Sequence, residues 1–119
     1  MLRSSLHAAA LILSLTGLVT PVAAASFDCA KARNPDEISV CKYRNLSELD
    51  SEMGGLWYAY AKFPFLMGAN GERQTEAQEF LAKRKACGAE RACLQAAYTA
   101  RIAKLRSDIT QAMKAVCSQ

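Results

Sequence analysis

The residues best placed to do chemistry in this chain are five cysteines: Cys29, Cys41, Cys87, Cys93 and Cys117. Four fall into two close pairs and the fifth is left over near the C-terminus. Thiols oxidise to disulfides in exported proteins and stay reduced in the cytosol, so their fate turns on compartment. The spacing Cys87-x5-Cys93 is too wide for the usual zinc knuckle, and the chain has no Cys-x-x-Cys redox motif. It has no glycine-rich phosphate loop either. The single histidine is His7, close to the N-terminus.

The N-terminal residues settle the expected compartment. Met1-Leu2-Arg3 is a short positive start, followed by an apolar run from Ala8 to Val19. Pro21 breaks the run, and Ala23 and Ala25 fit the small-x-small pattern of a cleavable export signal. We expect a signal peptide over 1–25, cut after Ala25, and one domain over 26–119. The apolar run is too short for an ordinary spanning helix, which needs roughly 20 residues. No membrane span is expected in the mature form.

Cleavage has two chemical consequences. It removes His7, and with it Ser-His-Asp and Cys-His catalysis and every zinc site that needs imidazole. We therefore expect a non-enzyme with no metal and no cofactor. It also removes Arg3, so the formal charge falls from +4 to +3. Residues 26–71 carry five Lys/Arg against six Asp/Glu, and residues 72–119 carry nine against five. That imbalance is mild and does not argue for nucleic acid. It suits weak contact with anionic surfaces.

The elements that must position these residues read as helices throughout. Asn34-Pro35-Asp36-Glu37 is a helix start: a capping residue, a proline at the first helical position and a capping-box acid. The short helix that follows carries Ile38 and Cys41. A second helix starts near Asn45 or Ser47, with Leu46, Leu49, Met53, Leu56, Tyr60 and Phe63 on one face. Gly54-Gly55 weaken it by roughly 1 kcal/mol each relative to alanine, and suit the close approach of a neighbouring helix. Pro64 ends or kinks it, and 65–71 reads as a connection. A third helix runs from Glu72 or Thr75 to Ala86, with Ala77, Phe80, Arg84 and Cys87 on its face and Gly88 just past its end. A fourth begins near Glu90 and reaches Val116, with Leu94, Tyr98, Ile102, Leu105, Ile109, Met113 and Val116 as its stripe. No segment alternates long enough for a strand. The expected fold is a small all-α, disulfide-stapled bundle: one short N-terminal helix plus about three longer ones.

Five cysteines with one unpaired allow 15 connectivities. Cys87 closes the third helix and Cys93 opens the fourth, so their bridge would staple that hairpin. A Cys29–Cys41 bridge would tie the N-terminal arm to the first helix. Cys117 remains as a free thiol or as an intermolecular disulfide giving a dimer.

Two arginines fall on apolar faces. Arg84 lies between Phe80 and Cys87, and Arg101 lies within 20° of Leu94 on the fourth helix at about 100° per residue. Buried guanidinium groups need acidic partners. Asp50, at the edge of the second helix's apolar face, is the best candidate, with Glu52 and Asp28 next. Asp50, Arg84 and Arg101 thus form an expected structural ion-pair network, or a polar binding site in a groove. Tyr58 should face outward, and Phe65, Leu66 and Met67 lie beyond the proline. This segment is either a partner surface or a plug over a small core. Lys83 and Lys85 add positive charge beside Arg84.

Ser26-Phe27-Asp28-Cys29, Cys41 and Leu46-Ser47-Glu48-Leu49-Asp50 form one patterned half. Residues 78–87, with Phe80, Arg84 and Cys87, and residues 93–105, with Cys93, Tyr98 and Arg101, form another. Together they resemble the LprI-type lysozyme-inhibitor domain of exported bacterial proteins, over nearly the whole mature chain. Phe80 stands where that family usually has tryptophan, and Trp57 where tyrosine is usual. Cys117 and Gly54-Gly55 lie outside the pattern. The resemblance implies an exported helical domain, periplasmic or secreted, and lysozyme inhibition as its named activity. It carries over no catalytic residues. Two readings of the residues stand side by side. One is an inhibitor whose lysine or arginine neutralises the paired carboxylates of a glycoside hydrolase cleft. The other is a periplasmic interaction or assembly module with another envelope protein as partner.

Overall fold

The computed structural model describes residues 25–64 and 67–118, with the backbone but not the side chain of Met67. The expected signal segment up to residue 24, and Phe65 and Leu66 of the expected partner surface, lie outside the described residues. The described chain is helical: a 3-10 turn at Cys29–Lys31, then α1 (Pro35–Lys42), α2 (Arg44–Ala61), α3 (Met67–Cys87) and α4 (Arg91–Cys117). No strand occurs among the described residues. One short helix and three longer ones are what the sequence predicts.

Local chemistry explains where the helices begin. Pro35 occupies the start of α1, and the Glu37 carboxylate reaches back to accept from the backbone N–H of Arg33 at 2.9 Å and of Asn34 at 3.1 Å. Those donors have no partner within the helix, so the acid satisfies them. Glu90 does the same for α4, accepting from Ala92 N at 3.2 Å and Cys93 N at 2.7 Å. Gly88 adopts φ of 55° between α3 and α4, a conformation that costs glycine little and other residues more.

Three boundaries differ from expectation. The stretch read as a connection is helical from Met67, because only Gly68 and Gly71 argue against it and neither is enough to break an otherwise helical run. α2 begins earlier, at Arg44, and ends at Ala61, before Phe63 and Pro64. The α4 stripe is buried only in its first part. Leu94, Tyr98, Ile102 and Leu105 are withdrawn from solvent, but Met113 and Val116 are each 53% exposed. The helical period continues past the point where a described neighbour covers it.

The core lies where α2 and α4 pack together and α1 and α3 close over them. Val40, Leu46, Leu94, Tyr98 and Leu105 are fully buried, with Phe80 and Ala97 beside them. Burying one such large side chain is worth about 1.5–3 kcal/mol. Phe80 meets Tyr98 edge to face with ring centroids 5.3 Å apart, a favoured aromatic geometry. Ser47 Oγ donates to Val40 O at 2.6 Å across the α1–α2 turn, and Ser39 Oγ donates to Ala89 O at 3.3 Å, tying α1 to the α3–α4 turn.

Both intramolecular disulfides form as expected. Cys29–Cys41 joins the 3-10 turn to α1, with Cα atoms 5.8 Å apart. Cys87–Cys93 staples α3 to α4, with Cα atoms 5.6 Å apart. Each short loop contributes about 2–3 kcal/mol in the chain-entropy account. Cys117 is free and exposed at the end of α4.

Candidate functional site

Among the polar residues described, those paired with Arg84 and with Arg101 form two clusters, whose α3 members Glu76 and Arg84 lie one turn either side of Phe80. The first is a buried charge cluster. Asp50 of α2 is 0% exposed and Arg84 of α3 is 11% exposed at its side chain. Arg84 Nε donates to Asp36 Oδ2 at 2.8 Å. Its Nη1 lies 3.8 Å from Asp50 Oδ1, and its Nη2 lies 3.9 Å from Glu37 Oε1. Nη1 also donates to the Tyr98 hydroxyl at 3.4 Å, and that hydroxyl donates to Asp50 Oδ1 at 2.7 Å. The guanidinium stacks 5.4 Å from the Phe27 ring centroid, under the N-terminal arm. Burial is the main cause that pushes the Tyr98 phenol well above its ordinary range, and the neighbouring Asp50 adds to it. The hydroxyl therefore stays a donor through neutral pH.

The Arg84–Asp50 pair is thus present, but the closest partner of Arg84 is Asp36, which the sequence did not suggest. Asp36 reads in sequence as a first-turn acid of α1, an exposed position in most helices. It is buried here because the Cys29–Cys41 arm and α3 both lean on that turn. Glu52 and Asp28, the other expected partners, go elsewhere: Glu52 pairs with Arg106 on the surface, and Asp28 with Lys31 at 3.6 Å.

Arg101 does not join this cluster, which corrects the expected three-residue network. It sits mid-stripe on α4 as the helical phase requires, and is 7% exposed. α3 supplies its acid instead: Nη1 reaches Glu76 Oε2 at 3.3 Å, and Glu76 also holds Lys104 at 3.1 Å. The Trp57 ring centroid lies 5.8 Å from the guanidinium carbon. Nη2 of Arg101 is buried with no hydrogen-bond partner among the described residues. The helix spacing of Glu76 and Phe80, one turn apart on α3, is the signal that could have found this pairing.

Arg101 lies at the junction of two shallow clefts. One, of about 230 Å³, runs between α3 and α4 and is lined by Glu79, Phe80, Lys83 and Lys104 among others. The second, of about 110 Å³, is mostly apolar and is walled by Met53, Trp57, Phe80 and Leu81. Glu76 and Glu79 share the first cleft, and Lys104 is held by Glu76 and Asp108, so Arg101 and Lys83 are the cations that this junction offers to a carboxylate on an apolar stem.

The expected partner surface is divided by the structure. Lys83 edges the α3–α4 cleft, while Lys85 is two residues on and about 200° around the helix. Both are exposed. Tyr58 is 67% exposed, with the Lys62 ammonium 4.8 Å from its ring centroid. Trp57 and Tyr60, its neighbours in sequence, turn inward and meet at 6.5 Å. Among the described residues there is no cluster of three or more metal-ligating side chains and no helix long and apolar enough to cross a membrane. No family model, no curated protein and no solved structure matches this chain.

Proposed function

We propose that the chain is an exported, disulfide-stapled binding domain whose α3–α4 face engages an acidic group on a protein partner, and that it acts as a glycoside hydrolase inhibitor of the LprI type. The observation that carries this reading is Arg101: buried, with Nη2 unpaired among the described residues, at the junction of a cleft edged by Lys83 and Lys104 and one walled by Trp57. A hydrolase cleft presents two carboxylates, which a positive edge complements. The two disulfides and the signal pattern support an oxidising compartment, periplasmic or extracellular. The resemblance over 26–105 supports the inhibitor class.

The test is a turbidity assay of cell-wall lysis with the oxidised exported protein at micromolar concentration. Inhibition that falls at least tenfold in Lys83→Glu, with the fold intact by circular dichroism, supports the reading. Full lysis at all concentrations removes lysozyme as the target. The second reading, an envelope interaction module, is favoured by exposed Tyr58, which lies off the α3–α4 face. Binding to an envelope protein that Tyr58→Ser abolishes and Lys83→Glu leaves intact would select it.

A further inference from the structure

The N-terminal arm ends in an arrangement that the charge cluster alone does not explain. Asp50 Oδ2 accepts from both the backbone nitrogen and the hydroxyl of Ser26, each at 2.6 Å. Asp50 is fully buried, and its other oxygen is taken by Tyr98. Gly54, one turn along α2, makes room for this contact: a Cβ there would sit 2.8 Å from Ser26 Cβ. The glycine admits the N-terminal arm rather than a neighbouring helix.

The charges around Asp50 do not balance. Among the described residues Arg84 is the one cation paired with this cluster, and it faces the carboxylates of Asp36, Asp50 and Glu37. Asp36 Oδ1 is buried with no hydrogen-bond partner among the described residues. Asp28 and Lys31 line the same cleft but pair with each other. Buried carboxylates without compensating charge are costly, so a second cation is called for.

Ser26 is also the residue that follows the small-x-small pattern ending at Ala25. We propose that export cleavage creates that second cation: the α-ammonium of Ser26 docks on Asp50 and locks the arm to α2. Water hydrolyses the Ala25–Ser26 peptide bond, leaving the Ala25 carboxylate and a Ser26 amine that takes up a proton at neutral pH. The nitrogen already placed 2.6 Å from Asp50 Oδ2 then changes from an amide donor to a charged one. Hydrogen bonds between two ionised groups are the stronger kind. Processing and the final setting of the cluster are thereby coupled. The proposal rests on the export reading but not on lysozyme inhibition.

The experiment uses protein exported from the full-length precursor and purified without reductant. Intact mass reads the N-terminus, and competitive acetylation across pH, read by mass spectrometry, gives the pKa of the α-amine. The expected chain starts at Ser26, with an amine titrating at least one unit above the ordinary range of about 7.7–8.0. Asp50, Glu37 and Asp28 raise it, and Arg84 opposes them. Gly54→Ala, which pushes the arm away while keeping Asp50, should return the amine to its ordinary range. Asp50→Asn should do the same where it folds. An ordinary pKa in the folded wild type, or a raised one unchanged in Gly54→Ala, overturns the proposal. A chain that begins at another residue overturns the cleavage site and the proposal together, and leaves the binding reading to its own assay.

Discussion

Tyr98 donates its hydroxyl proton to Asp50 across 2.7 Å, and neither side chain reaches solvent. This bond joins α4 to α2 at the centre of the molecule. Tyr98→Phe removes the donor and leaves Asp50 Oδ1 with only Arg84 at 3.8 Å. An under-satisfied buried acceptor costs about 1–3 kcal/mol, which denaturant unfolding will read as a lowered midpoint with unchanged slope.

The same phenol sets the alkaline limit. Its folded pKa is raised, so its contribution is fully present below the unfolded value of roughly 10 and is lost as pH rises beyond it. Stability should fall by about 1.4 kcal/mol per pH unit for this group above roughly pH 10. Tyr98→Phe should flatten that fall, leaving the part due to Tyr60, whose phenol burial also pushes up. Thermal unfolding between pH 8 and 11 checks it; equal slopes in both proteins would refute the assignment.

Arg84 holds three carboxylates that would otherwise face each other in the interior. Arg84→Met leaves Asp36 buried without its cation and takes from Asp50 the nearer of its side-chain charges, and breaking a buried pair typically costs about 3–5 kcal/mol. Arg84→Lys keeps the charge but not the fork that spans Asp36, Tyr98 and Asp50, so it should fall between. Double variants will show coupling: adding Asp36→Asn to Arg84→Met should cost far less than it does in the wild type.

Much of this architecture is legible in the sequence because it is local. Pro35, Glu37 and Glu90 mark helix starts by short-range chemistry, and the Cys87–Cys93 bridge follows from two helix ends meeting across Gly88. The burial of Arg84 and Arg101 is legible from helical phase alone. Their partners are not, because phase gives the face of a helix and not which acid lies across from it. Asp36 and Glu76 sit on helices whose rotation is set by packing and by the Cys29–Cys41 bridge. The role of Ser26 is hidden for the same reason: it depends on Gly54, 28 positions away, having no side chain. Met113 and Val116 show the reverse error, a helical pattern that runs on beyond the packing that would use it.

Cys117 is exposed while the other four cysteines are bridged. A thiol reagent applied to the native, unreduced protein should therefore label one site per chain, and Cys117→Ser should abolish labelling. Because the side chain is exposed, the substitution should change the unfolding free energy by no more than the usual surface range of about ±0.5 kcal/mol. If the exported protein is unlabelled and runs as a dimer without reductant, Cys117 bridges two chains instead, and Cys117→Ser will restore the monomer.

The acid limit should come from Glu37. Its pKa is lowered from 4.5 to about 2, first by the backbone N–H of Arg33 and then by that of Asn34, with Arg84 a minor cause. A depressed carboxylate contributes stability that is present above its unfolded pKa and is lost as pH falls through its folded one. The window therefore runs from roughly pH 5 down to pH 2. Glu37→Gln should lower the melting temperature at pH 7, and the gap to wild type should close steadily on acidification. The glutamine can still accept from Asn34, so what disappears with pH is the charge and not the cap. A gap that stays constant from pH 7 to pH 2 would mean that the hydrogen bonds alone, and not the carboxylate charge, hold the start of α1.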